Sequence, residues 1–259
     1  MAYKKKGTNL RPPYLKKITF EKDKVENRNS YPFSLPIFQR DLLLEFKKPI
    51  TIIAGENGSG KSTLLEYIAY SCGFNLKGGS RNHLYNTQDR EPMEHLEYMN
   101  SCLKLAWLPK VSNGFFLRAE TFYNFLEYTL DPEMESLHFN YGGNLLEKSH
   151  GEAFLTFFKT RLENHGVYLF DEPEAALSPT RQLEFLKILK QVEERRNAQI
   201  IMITHSPLLM AYPNADLLLF NHSGIWHSEF EQTDHFQLMT QFYKDPQRFI
   251  EKVLEEGEE

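Results

Sequence analysis

Residues 49–63, "PITIIAGENGSGKST", constrain the fold more tightly than any other part of this chain. A run of β-branched apolar residues leads into two glycines five positions apart, then a lysine and a serine. Gly55, Gly60, Lys61 and Ser62 satisfy the spacing GxxxxGK[ST]. Glycine lets the backbone curl so that successive N–H groups point inward around a phosphate, and a helix that follows adds its positive end. Strand, glycine loop and helix are therefore required in that order. Gly55, Glu56, Asn57, Gly58, Ser59, Gly60, Lys61, Ser62 and Thr63 form the candidate loop, in which Lys61 reaches the β- and γ-phosphates and the Ser62 hydroxyl ligates Mg²⁺.

The helix is legible in "KSTLLEYIAYSCG", where Leu64, Leu65, Ile68 and Ala69 share a face and Gly73 is a stop. Two further runs, "GVYLF" at 166–170 and "AQIIMIT" at 198–204, are apolar at consecutive positions, as strands buried on both faces of a parallel sheet must be. Between them Ser178 caps a helix that opens with Pro179 and runs to about Arg196. "DLLLF" and "GIWHSEF" flank "NHSG" as a hairpin, and a helical tail is expected from Thr233 to about Leu254. The segment of roughly 75 residues before residue 148 contains helical stretches, "EPMEHLEYMNSCLKLAW" and "ETFYNFLEYTL", separated by turns such as "YGGN".

The second run ends in "DEPEAALSP", which puts Asp171 at the C-terminal edge of a parallel strand, where ligands sit in open α/β sheets. A carboxylate there holds Mg²⁺, and Glu172 beside it accepts a proton from an attacking water. The third run ends in "THSP", so His205 emerges at the same edge, placed to sense a terminal phosphate. Catalytic candidates are Glu172, His205 and Lys61; metal candidates are Ser62 and Asp171.

Together these segments resemble the ABC-type ATPases, the superfamily of transporter motor domains and of the SMC and RecF proteins. Over nearly its full length, through "YPFSLPIF", "GFNLKGGSRN", "GFFLRAETFYN" and "THSPLLMAYP" besides the motifs above, the chain is also similar to small stand-alone bacterial ATPases often labelled AAA family ATPase. The resemblance implies a P-loop core with a mainly parallel sheet flanked by helices. It divides a single domain, 1–259, into a core at about 1–75 and 149–259 and a helical lobe inserted at about 76–148. It also implies that "KSHGEAF" stands for the family's LSGGQ signature, with Lys148 for Leu and His150 for a glycine, so that Ser149 and Gly151 at a helix start cap the γ-phosphate of ATP held by a second protomer. Residues Ala176 to Ser178 would occupy the loop that touches that protomer. The family's glutamine-bearing loop, which links the γ-phosphate and Mg²⁺, falls on "GFFLRAE", which offers Arg118 and Glu120; Glu120 is the choice, and by the resemblance a third metal candidate. Tyr14 and Phe33 are candidates for stacking on adenine, and the choice stays open.

The implied activity is Mg²⁺-dependent ATP hydrolysis to ADP and phosphate by a head-to-tail homodimer sandwiching two nucleotides, coupled to a protein or nucleic-acid partner. The alternative is a nucleotide-gated clamp with little turnover. A phosphate-transferring kinase lacks both the "SHGE" segment and the acid pair, and no heptad run supports a long coiled coil. A formal net charge of −5 gives the whole molecule no electrostatic footprint for nucleic acid, although the lysines of the first 17 residues form a local cluster. No apolar run approaches 18 residues, and "GTNLRPPY" after Lys4 to Lys6 lacks the apolar stretch of a secretory signal, so a cytoplasmic protein is expected. Cys72 and Cys102, without metal-ligand spacing, are expected to be reduced thiols.

Overall fold

The computed structural model describes residues 10–81, 94–122, 125–126 and 145–255. Among them a six-stranded sheet runs in the order β5 (Gly114–Arg118), β6 (Gly166–Asp171), β7 (Ala198–Ile203), β3 (Ile50–Gly55), β8 (Asp216–Asn221), β9 (Gly224–His227). All pairings are parallel except the β8–β9 hairpin. A smaller antiparallel sheet is formed by β2 (Leu42–Glu45), β1 (Leu15–Phe20) and β4 (Leu103–Trp107).

The consecutive apolar residues of the central strands divide by period two between two cores. On β6, Val167 and Leu169 join Leu64 and Ile68 of helix α1 (Lys61–Cys72), whereas Tyr168 and Phe170 face the aromatic layer of helices α3 (His150–Arg161) and α4 (Pro179–Arg195). There Phe170 meets the ring of Phe158 edge-on at 4.7 Å, and Phe185 packs on both. Covering both faces fixes the sheet rigidly, so the loops leaving its C-terminal edge start from defined positions.

One buried side chain joins the two sheets. Gln199 on β7 is fully enclosed; its Oε1 accepts the N–H groups of Tyr14 and Leu15 at 2.7 and 2.8 Å, and its Nε2 donates to the Leu15 carbonyl at 3.0 Å. A buried amide left unpaired costs about 1–3 kcal/mol, so the register of β1 against β7 is well specified. Tyr14 is consequently a core residue, its hydroxyl donating to the Asn197 carbonyl. Phe33 is likewise enclosed by Phe20, Phe38 and Tyr98. Neither ring is presented to a ligand.

Helix α1 stops at Gly73, whose φ of 75° makes the turn, and α4 is capped as expected, Ser178 accepting the N–H of Arg181. The tail is broken at Asp245 into α6 (Asp234–Lys244) and α7 (Pro246–Glu255), after the short helix α5 (Pro207–Met210). The stretch "EPMEHLEYMNSCLKLAW" corrects the reading of one long helix. Among its described residues only α2 (Glu94–Cys102) is helical, and Leu103–Trp107 pairs with β1, because the alternation of Leu103, Leu105 and Trp107 places those side chains against the first core. The segment 76–148 thus contributes β4 and β5 as well as helix. Residues 82–93, 123–124 and 127–144, including "YGGN" and part of the expected helical lobe, lie outside the described residues. Cys72 and Cys102 are buried and unbridged, and burial pushes the Cys72 thiol up to about 12.

Candidate functional site

The phosphate-loop geometry follows from its glycines. Gly55 ends β3 at φ 135°, paired with Phe220 so closely that a Cβ would lie 1.8 Å from the Phe220 carbonyl oxygen. Gly60, at φ 103°, precedes α1, and a Cβ there would meet Ile37 Cγ1 at 2.8 Å. Both positions exclude any side chain. Gly58, at φ 74°, faces open space.

Lys61 is 6% exposed and folds back over the loop, its Nζ donating to the Gly55 and Glu56 carbonyls at 2.8 and 2.5 Å. Burial holds the ammonium below its usual range, partly offset by Glu172, Asp171 and Glu56. Ser62 Oγ donates to Asp171 Oδ1 at 3.2 Å, a contact 109 residues apart in sequence. Two hard oxygen donors at the mouth of a glycine loop suit Mg²⁺ in their chemistry.

Asp171 ends β6 almost fully enclosed, and its carboxyl is pushed up to about 6, by burial above all, against the pull of Arg118 and the Ser62 hydroxyl; Glu172 and Glu66 push it further. Arg118, the last residue of β5, lies 3.7 Å from Asp171 Oδ2 and 2.8 Å from Glu66 Oε1. It is therefore Arg118 that reaches the carboxylate from β5, while Glu120 stays exposed on the following turn. An acid raised in the folded state costs stability as pH climbs through the ordinary carboxyl range toward 6, with the cost complete above 6. Asp171→Asn should accordingly raise the melting temperature of the nucleotide-free protein at pH 8, by about 1–3 kcal/mol of stability, and leave it unchanged near pH 3. A thermal-unfolding series at the two pH values checks this; a Tm lowered at pH 8 would contradict the assigned cause.

Glu172 follows in the left-handed region, φ 52° and ψ 55°, a conformation that costs a non-glycine residue about 1–2 kcal/mol. The kink turns the chain out of the sheet while the Glu172 N–H still donates to Ile203 O at 3.0 Å, and the side chain, half exposed, lies 3.7 Å from His205 Nε2. The loop after β7 is tied to the same region twice. Glu174 Oε1 accepts the His205 N–H at 2.5 Å, and Gln182, anchored on the Leu177 carbonyl, accepts the Ser206 hydroxyl at 2.5 Å. Neither tie is apparent in the sequence, since each joins residues more than 20 apart; the one local signal is a second glutamate inside "DEPE".

Ser149 and Gly151 open α3 on the surface. Glu152 accepts both the Ser149 hydroxyl, at 2.7 Å, and its N–H, at 3.2 Å, and pairs with Arg181 at 3.0 Å. A Cβ at Gly151 would touch Arg181 Cγ at 3.4 Å and the Ala176 carbonyl oxygen at 3.7 Å, so the helix start packs beside the "EAALSP" turn.

The site thus unites Lys61, Ser62, Asp171, Glu172 and His205 at one sheet edge. Two family models match the chain: "AAA domain" over residues 24–107 and "AAA domain, putative AbiEii toxin, Type IV TA system" over residues 153–211. The chain is 30% identical over 215 residues to the tungstate uptake system ATP-binding protein TupC of Campylobacter jejuni, covering 79% of this chain and 62% of that one. It is 39% identical over 70 residues to protein ea59 of Escherichia phage lambda, covering 26% of this chain and 13% of that one. These matches span less than two thirds of either relative. Among solved structures, the SMC head domain from Thermotoga maritima aligns at a TM-score of 0.49 with 18% identity, covering 83% of this chain and 99% of that one.

Proposed function

We propose that this chain, a P-loop ATPase domain of the ABC type, binds Mg-ATP and hydrolyses it to ADP and phosphate. The observation that carries this reading is the convergence of the loop lysine, Ser62 with Asp171, and Glu172 with His205 at 3.7 Å on one sheet edge.

The loop from Gly55 to Thr63 cradles the phosphates, and Lys61 leaves the Gly55 and Glu56 carbonyls to meet the β- and γ-phosphates. Ser62 and Asp171 would hold Mg²⁺, which when bound supplies charge neutralisation of the triphosphate. Glu172 accepts the proton of the attacking water, and His205 contacts the γ-phosphate, the two being held in step by Glu174 and Gln182. Ser149 and Gly151 of a second protomer complete the site in a head-to-tail homodimer; the exposure of Ser149, with Gly151 packed beside the "EAALSP" turn, supports this reading. Among the described residues no helix is long and apolar enough to cross a membrane.

The test measures phosphate release and particle mass with ATP. Turnover should require Mg²⁺, stop on chelation, and fall with Lys61→Ala; ATP should double the mass, most visibly when hydrolysis is blocked. Repeating the assay with single-stranded DNA, duplex DNA and RNA at fixed salt identifies a nucleic-acid partner by stimulation. Doubled mass without phosphate release would replace the hydrolase by a nucleotide-gated clamp, and absence of nucleotide binding would end both.

A further inference from the structure

The hydrolysis reading draws on the ends of β3, β6 and β7 and leaves α6 without a part. Yet α6 begins on a cavity that borders the phosphate loop. A space of about 480 Å³ is bounded by Gly55, Glu56 and Asn57 of the phosphate loop, by His205, and by Thr233 and His235.

The placement of His235 is built. Thr233, 1% exposed, caps α6 by accepting the Phe236 N–H at 3.1 Å, and its hydroxyl donates to the Phe230 carbonyl at 2.7 Å. The rings of Phe230 and Phe236 lock edge-on at 5.2 Å beside this cap. His235, the second residue of the helix, is thereby held with its ring centroid 6.0 Å from that of His205, the planes tilted by 46°. Burial, then the neighbouring His205 and more weakly Lys61, hold its imidazole below the ordinary range, while Asp234 pulls the other way. Glu172 beside His205, Glu56 near His222, and Asp234 are the carboxylates around this space. Two imidazoles at this separation reach neighbouring oxygens of one phosphoryl group lying beside them, each through a hydrogen bond of roughly 2.7–3.0 Å.

We propose that His235 is a second phosphate-contacting imidazole, carried by α6 to the terminal phosphoryl group of a nucleoside triphosphate, where with His205 it distinguishes the triphosphate from the diphosphate. This rests on the nucleotide-binding reading above. A diphosphate seated on the loop presents no terminal phosphoryl group to the two rings, so the contact belongs to the triphosphate state alone. Release of phosphate removes one anchor of α6, which links hydrolysis to the C-terminal helices.

The experiment measures ATP and ADP affinity by calorimetry in the full chain carrying Glu172→Gln, which keeps ATP intact. Adding His235→Ala is expected to weaken ATP about 10-fold and ADP less than about 2-fold, the loss of one hydrogen bond to a charged group. His235→Gln, which keeps an N–H donor, should recover part of the loss and guards against a folding defect. An unchanged ratio of ATP to ADP affinity in both variants overturns the His235 contact alone. A parent that binds neither nucleotide overturns the nucleotide reading and this contact with it.

Discussion

Glu172→Gln should lower the rate of ATP turnover about 10²- to 10⁴-fold while leaving ATP affinity within about 3-fold of the parent. The substitution keeps size, shape and the backbone conformation at φ 52°, and removes only the capacity to take a proton. His205, 3.7 Å away, keeps its position because Glu174 holds its backbone rather than its ring. With hydrolysis blocked, an ATP-bound dimer should persist long enough to be seen as doubled mass. Steady-state phosphate release, nucleotide titration and sedimentation report the three quantities separately. Turnover at the parent rate would remove Glu172 as the base, whereas lost affinity would show that the side chain shapes the pocket instead.

Gly55→Ala is expected to damage both the fold and the phosphate loop. The residue sits at φ 135°, which L side chains rarely adopt, and the added carbon would lie 1.8 Å from the Phe220 carbonyl oxygen. That oxygen also accepts the Glu56 N–H at 3.2 Å, so β3 and β8 must separate where the phosphate loop begins. Strain and the lost pairing together should cost about 3 kcal/mol or more, a fall in melting temperature of roughly 6–12 °C for a domain of this size, with nucleotide binding lost even in the fraction that folds. Gly58→Ala is the matched control: its φ of 74° carries strain but its Cβ meets nothing within 4 Å, so only about 1 kcal/mol should be lost. Equal thermal shifts for the two variants would show that steric contact with β8 is not the constraint.

The parts of this protein legible in the sequence share a physical origin. Gln199 apart, whose amide the second sheet satisfies, the runs ending at Asp171 and near His205 are legible because a doubly buried strand is apolar at nearly every position, while Gly55, Gly60, Lys61 and Ser62 act through local backbone geometry, which a short window encodes. The same holds for Ser178 and Pro179 at the start of α4. Between Arg118 and Glu120 no short window discriminates; on β5 it is Arg118, in register with Asp171, that meets the carboxylate. "LKLAW" read as helix because its leucines fit either period over five residues, and only pairing with β1 resolves that ambiguity.

What the sequence alone determined is therefore the strand–loop–helix unit and the chemistry that strand ends deliver, since both follow from spacing within a few residues. Tertiary structure alone decided the strand order, the sheet-to-sheet clasp of Gln199, the ties of Glu174 and Gln182 to the His205 loop, and the arrival of His235 beside His205. Those contacts join residues tens to nearly two hundred positions apart. They are selected by which apolar faces can be buried together, a property of the whole chain that no local pattern carries.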